Sequence, residues 1–311
     1  ACDRRPMSGI VEPRRDGRDA LHRFLLEGLG IRGELVHLDA TWRSVLARRS
    51  YPEPLRSVLG ECLGATALLA ATIKFDGTLT LQARGGQGPV RLLVVEATGA
   101  RTLRGLARFG DLGEASVLPE LIGDACLAIT VDSGADANRY QGIVEVEEAT
   151  LSGVIEQYFA RSEQLPTKLW LACDGAAVAG LLLQKLPGDG AVVVDDAERA
   201  EAWERSIMLA DTVTDRELLD LGAHTLLRRL FVTEGCRVFQ PERWGFACTC
   251  SRERVRTMLR SLGRGECESI LEDEGTVDVT CEFCGARQAF DTVDVAELFA
   301  AGAVAAPPCT M

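Results

Sequence analysis

From Pro52 to Ile73 the apolar side chains keep a helical spacing, with Leu55, Val58, Leu59, Cys62 and Leu63 recurring at i, i+3, i+4 and i+7. Small and apolar residues from Ala65 to Ala71 carry the apolar surface almost all the way round, which predicts a core helix with proline in its first turn. On either side the period changes to that of strands. Leu21 to Leu38 breaks into short apolar runs around Gly30 and Gly33. After the Asp76-Gly77 turn, Leu79, Leu81, Val90, Leu92 and Val94 alternate. Ala128 to Val131, Ile143 to Val146, Leu169 to Leu171 and Val178 to Leu183 continue the strand pattern, interrupted by a helix from Ser152 to Ser162. Residues 19–186 are therefore expected to form an α+β domain on a largely antiparallel sheet. Residues 1–18, rich in arginine, aspartate and proline without periodicity, are expected to be a disordered extension.

Pro187-Gly188-Asp189-Gly190 ends that pattern, and residues 187–240 read as a helical linker. Asp195 to Asp220 holds nine acidic and three basic residues, so like charges repel along it. Trp203 and Ile207 share a helix face, and Thr214-x-x-Glu217 is a capping-box signature ahead of Leu218 and Leu219. A helix with so thin an apolar stripe takes most of its stability from what it docks against. The segment reads either as a solvated surface helix pair or as a linker poised to unfold.

Residues 241–300 have a third character. Phe246 to Cys250 reads as a strand or knuckle, and Ser251 as the N-cap of a helix. Val255, Met258, Leu259 and Leu262 share one face of that helix, and Gly263 and Gly265 stop it. Val277, Val279, Cys281 and Phe283 alternate as a strand, and a last helix spans Val293 to Phe299 before a small-residue tail over 301–311.

The cysteines single this region out. The chain has 11, an odd count, and four of them fall into two pairs: Cys248-x-Cys250 and Cys281-x-x-Cys284. Two short pairs joined by a small α/β unit suit one tetrahedral Zn²⁺, each pair giving two sulfurs at a tight turn. Cys62, Cys126 and Cys173 sit in apolar or strand patterns and are expected in the core; Cys236 and Cys267 are ambiguous, either ordinary packed residues or spare thiols beside the pairs, with Cys2 and Cys309 near the chain ends. His22, His37 and His224 have no partner motif and read as surface or satisfied core residues.

Composition narrows the function classes. With 34 basic and 46 acidic residues, and a net charge of −12, the chain repels nucleic acid and anionic lipid. From Cys236 to Met311 there are eight arginines and no lysine against 12 acidic residues, which argues against a nucleic-acid zinc ribbon. The longest apolar run, Leu63 to Ile73, is short of the roughly 20 residues of a membrane span. The N-terminal residues hold no apolar signal core, and a cytoplasmic protein is expected. No Walker A loop, G-x-S-x-G or H-E-x-x-H is present. Three classes then fit the residues: a redox-switched protein that turns over no substrate, a thiol–disulfide enzyme using Cys281 and Cys284, and a binding module with a permanent structural zinc.

The chain resembles the bacterial 33 kDa chaperonin family of redox-regulated heat-shock holdases. Cys248-Thr-Cys250-Ser-Arg-Glu-Arg254 and Cys281-Glu-Phe-Cys284-Gly285 carry the likeness, with Arg32-Gly-Glu-Leu35, Lys74-Phe-Asp-Gly77, Arg139-Tyr-Gln-Gly142 and Arg161-Ser-Glu-Gln-Leu-Pro-Thr167 in the family's order. It extends over about residues 19 to 300. The resemblance implies a sheet domain, a metastable helical linker and a C-terminal zinc domain. It also implies that oxidation joins Cys248 to Cys250 and Cys281 to Cys284 and expels zinc. The linker then unfolds, activated subunits form a homodimer, and unfolding client proteins are held without ATP. Four thiolates on Zn²⁺ leave a net negative site, and Arg252 and Arg254 follow it closely in sequence.

Overall fold

A computed structural model describes residues 18–73, 75–84, 86–133, 139–187 and 196–300. The expected extension up to residue 17, the glycine-rich break at 188–190 and the tail at 301–311 lie outside them, as do Cys2 and Cys309. The chain divides into two units, one ending at Ala247 and the other beginning at Cys248.

The first unit is built on two sheets. The first joins β1 (Ala20–Leu26), β2 (Ile31–Leu38), β8 (Thr167–Cys173), β9 (Val178–Lys185) and β10 (Cys236–Val238) in the order β10-β1-β2-β9-β8, with β11 (Glu242–Arg243) also on β1. The second joins β3 (Thr78–Arg84), β4 (Val90–Thr98), β5 (Thr102–Phe109), β6 (Cys126–Asp132), β7 (Tyr140–Glu145) and β12 (Gly245–Phe246) in the order β12-β5-β4-β3-β6-β7. Every pairing is antiparallel except β12 on β5. The α+β, largely antiparallel architecture is as the sequence pattern predicts.

Between the sheets lies α2 (Glu53–Thr72), the expected core helix, with proline in its first turn. It follows the short α1 (Ala40–Leu46). Leu55, Leu59, Cys62, Leu63 and Leu69 are buried in one cluster with residues of both sheets. Gly60 and Gly64 let α2 close onto the first sheet: a Cβ on Gly60 would lie 2.2 Å from the Cys173 sulfur. Among the described residues α2 is the one helix long and apolar enough to cross a membrane, and 67% of that stretch is buried inside the protein. Arg23 and Arg32 donate to the last carbonyls of α2, at Ala71 (3.2 Å) and Thr72 (3.5 Å).

The expected helix at Ser152 to Ser162 is α4 (Leu151–Tyr158), preceded in the chain by the short α3 (Leu118–Ile122). It continues as one π-turn, Phe159–Glu163, ending at Gln164 with φ +54°. Strand β5 was not legible as a strand because its inward positions, Leu103, Gly105 and Ala107, are mostly small. It is held instead by an Arg104–Glu96 pair across to β4. Cys62 is buried as expected and Cys173 is half-buried, but Cys126 is exposed. It begins β6, where the pleat turns its side chain outward between Arg84 and Glu145.

The other face of the first sheet is covered by α5 (Asp196–Ala210), α6 (Asp215–Asp220) and α7 (Ala223–Phe231). Phe24, Leu26, Ile31, Leu35, Leu181 and Leu183 on the sheet pack with Trp203, Leu218, Leu226, Leu227, Leu230 and Phe231 on the helices. Thr214 and Glu217 form the expected capping box. Phe24 lies across Gly33 of the paired strand, where an added Cβ would sit 2.1 Å from the ring, and it stacks on Phe231 at 5.7 Å. Polar contacts also fasten α6. Arg18 donates to the carbonyls of Leu219, Asp220 and Leu221, satisfying the helix end. The buried Nε2 of His37 donates to Leu218 O at 2.9 Å.

All three histidines gather at this seam, although no motif in the chain links them. His22 and His37 share the helix-covered face of β1 and β2, and His22 meets His224 of α7 edge-on at 5.8 Å. Burial lowers His37 to about 4, Arg18 and His22 adding to the effect against the Leu218 hydrogen bond. Burial, then His224 and Arg243, lowers His22. Glu61 of α2 goes the other way, raised to about 7 by burial and then by Asp215.

Two outcomes follow for the docked helices. A histidine whose folded pKa lies below its free value stabilises the docked state above about 6.5 and loses that part as the pH falls towards 4. The wild type should therefore lose up to about 3 kcal/mol relative to His37→Gln between pH 6.5 and 4, read by urea unfolding at each pH. Glu61 contributes in the opposite sense, losing its part as the pH rises through 7, and is common to both proteins. Gly33→Ala should displace Phe24 from Phe231 and cost about 1–3 kcal/mol. Limited proteolysis should then cut residues 196–231 faster.

Candidate metal centre

The second unit holds α8 (Arg252–Leu262), α9 (Arg264–Glu274), β13 (Val277–Thr280), β14 (Arg287–Phe290) and α10 (Thr292–Ala300). Its core is small: Leu259, Cys267, Val277, Phe290, Val295 and Leu298 are the fully buried cluster. Gly263 ends α8 at φ +101°, as its type predicts, but α9 resumes at once with Gly265 inside it. The two glycines mask that helix in the sequence.

Both cysteine pairs sit at turns. Cys248 and Cys250 precede α8, where Ser251 is the N-cap and its Oγ accepts from Arg254 N at 3.2 Å. Cys281 to Cys284 link β13 to β14, so the expected strand stops at Thr280 and the second pair lies in a hairpin knuckle. Gly285 closes that knuckle at φ +73°, donating to Cys281 O at 2.7 Å, while Cys281 N donates to Ala286 O at 2.9 Å. The N–H groups of Phe283 and Cys284 point at the Cys281 sulfur.

These turns bring all four sulfurs within 4.8 Å of one another, with Cys248 to Cys281 at 3.6 Å and Cys250 to Cys284 at 3.3 Å. A tetrahedral ion with metal–sulfur bonds of about 2.3 Å has sulfurs about 3.8 Å apart, so the four thiols fit such an ion. The Cys284 hydrogen bond, then burial, pushes Cys250 up, and burial first of all pushes Cys281 up. A bound cation inverts this, because it takes the sulfurs as thiolates.

The arginines beside the site brace it rather than neutralise it. Arg252 donates to Asp294 (2.8 Å) and Ala289 O (3.0 Å) and lies 4.2 Å over the Phe290 ring, tying α8 to β14 and α10. Arg254 donates to Thr249 O at 3.1 Å and Oγ1 at 2.6 Å, fixing the loop between Cys248 and Cys250. The two thiols that the spacing leaves ambiguous have places of their own. Cys267 is buried in the core with its thiol 3.7 Å from Leu259 O, and Cys236 lies half-buried in β10 of the first unit, pushed up to about 11 by burial.

The sequence profile of the Hsp33 protein family matches residues 19–291. The chain belongs to the Hsp33 family. A 33 kDa chaperonin of Nitrosococcus oceani is 49% identical over 285 residues, covering 91% of this chain and 95% of that protein. The 33 kDa chaperonin of Azotobacter vinelandii is 46% identical over 296 residues, 94% and 98% of the two chains. A crystal structure of the 33 kDa chaperonin of Thermotoga maritima, 21% identical, superposes with a TM-score of 0.76 over 91% of this chain and 99% of its own, and shows the same fold. The four-thiol cluster thus lies in an Hsp33-family chaperone, as the resemblance implied.

Gly285→Val should strain the left-handed turn by about 1–2 kcal/mol and splay the second pair. Competition for Zn²⁺ against a chromophoric chelator should show weaker binding than in the wild type.

Proposed function

We propose that this chain is a cytoplasmic, redox-regulated, ATP-independent holdase that binds unfolding client proteins and turns over no substrate. The observation that carries the reading is the meeting of Cys248, Cys250, Cys281 and Cys284 within 4.8 Å. Zn²⁺ is the ion of choice, since a tetrahedral set of four thiolates suits zinc. Bound there, it keeps the sulfurs as thiolates at neutral pH, ready to attack an oxidant.

Two molecules of peroxide balance the switch. One thiolate of each pair takes an oxygen to become a sulfenic acid; its neighbour displaces hydroxide and closes the disulfide, Cys248 to Cys250 and Cys281 to Cys284. Each pair gives up two electrons to one peroxide, and Zn²⁺ leaves as its ligands disappear. Structural zinc is worth roughly 10–16 kcal/mol in small modules, comparable with a whole domain's stability of about 5–15 kcal/mol. A unit with six buried core residues among those described does not survive that loss.

The segment Cys236 to Ala247 connects Cys248 to α7 through β10, β11 and β12, which are two or three residues long. Loosening it frees α5 to α7; like charges repel along the acidic α5 and α6, which makes this the less stable cover of the first sheet. Their departure bares Phe24, Leu26, Ile31, Leu35, Leu181 and Leu183, an apolar surface that recognises unfolded chains without a sequence motif. The same surface supports homodimerisation of the oxidised form. A thiol–disulfide enzyme would place its C-x-x-C at a helix N-terminus, whereas Cys281 to Cys284 join two strands.

Peroxide at mild heat should release one Zn²⁺ per chain in parallel with suppression of a client's thermal aggregation, both reversed by reductant and zinc. Cys248→Ser with Cys281→Ser should abolish tight zinc binding and reversible control. Near-wild-type zinc affinity in that variant, or zinc release without suppression of aggregation, would sink the reading.

A further inference from the structure

The negative net charge conceals a local reversal. Between Trp42 and Arg56 there are four arginines and one glutamate. Three of these arginines, Arg48, Arg49 and Arg56, line one open-sided cavity of about 380 Å³ beside Ser50 and Tyr51, where the chain turns from α1 into α2. Two are held by their flat faces. Arg48 lies over the Phe246 ring at 5.6 Å and Arg49 over the Phe109 ring at 5.4 Å. Stacking of this kind fixes a guanidinium in place but leaves its N–H edge open to an acceptor. Arg56 bonds Glu53 from one nitrogen, while its buried Nε has no acceptor among the described residues.

Elsewhere in the first unit arginines meet carboxylates across elements, as Arg104 does Glu96 and Arg205 does Glu234. Among the described residues Arg48 and Arg49 make no such ion pair. Two guanidiniums without a carboxylate partner and a third shared with Glu53 face one cavity, and guanidinium forks match the oxygens of a phosphoryl group two at a time.

We propose that this cavity is a binding site for a small, multiply charged phosphate anion, held by Arg48, Arg49 and Arg56 with the Ser50 hydroxyl at its rim. The charge of three guanidiniums suits a short chain of phosphoryl groups better than a single one. A nucleic-acid strand, with charge far beyond the patch, meets the repulsion of a chain whose net charge is −12. Occupancy has a structural consequence within the first unit. Phe246 belongs to β12, where Ala247 N donates to Leu103 O at 3.3 Å, two residues before Cys248 in sequence Phe246-Ala247-Cys248. An anion fixing Arg48 holds Phe246 beneath it and so strengthens the pairing of β12 with β5.

The test is titration calorimetry of the reduced, zinc-loaded full chain with tripolyphosphate, orthophosphate and ATP, with NaCl at matched ionic strength and zinc content checked afterwards. One tripolyphosphate per chain should bind, more tightly than orthophosphate. Arg49→Ala and Arg56→Ala should each weaken it about tenfold, as loss of a charge-assisted hydrogen bond does. Ser50→Glu, an exposed change that leaves the fold intact by circular dichroism, should weaken it at least as much, and Arg264→Ala on α9 should not. Equal affinity for ATP and tripolyphosphate assigns recognition to the phosphate chain. A requirement for the nucleoside, unchanged affinity in Ser50→Glu, or the same heat from NaCl alone overturns the proposal.

Discussion

The first sheet is apolar on both of its faces, so neither face can be left to water. Strand β9 shows the constraint most directly: Val178 and Leu182 point towards α2, Ala179, Leu181 and Leu183 towards α5 to α7, and all are buried. A strand covered on both sides reads as a continuous apolar run rather than an alternation. The two covers differ in kind. The α2 helix is apolar nearly all round, pinned by Gly60 and Gly64 against β8 and β9 and fastened at its end by Arg23 and Arg32. The other cover carries more charge along α5 and α6; Trp203, Leu218, Leu226, Leu227, Leu230 and Phe231 pack it on the sheet, and one aromatic stack, a histidine bond and the Arg18 contacts add to that packing.

The small second unit obeys a different rule. With so few buried side chains, its shape depends on what its four thiols hold. The contacts that gather the sulfurs also push the Cys250 and Cys281 thiols up, whereas a bound cation favours their thiolates. Arg252 and Arg254 stiffen the surrounding loops, so the sulfurs start close together whatever binds them.

Much of this was legible in the chain. The α2 helix, the Thr214 and Ser251 caps and both cysteine pairs follow from local spacing that the tertiary structure keeps. Strand β5 was hidden because its inward side chains are small and its arginines are satisfied across the sheet, and α9 because Gly263 and Gly265 read as a stop. Cys126 was misplaced because an apolar neighbourhood in sequence does not fix the side of the pleat. The histidine seam and the arginine cavity were illegible for a further reason. Their members come from separate elements, and only the pairing of β1 with β2 and the turn from α1 into α2 bring them together.

The segment from Cys236 to Ala247 pairs with β1 at the edge of the first sheet and then, through Gly245 and Phe246, with β5 at the edge of the second. It is a hem that closes both sheets along one border. Drawn away, it leaves two rows of unpaired N–H and C=O groups on neighbouring sheets at the same moment, and unpaired edges are templates for any extended chain. On the proposed reading, such a border offers a peptide pairing through its backbone, whose hydrogen-bonding pattern is the same in every protein.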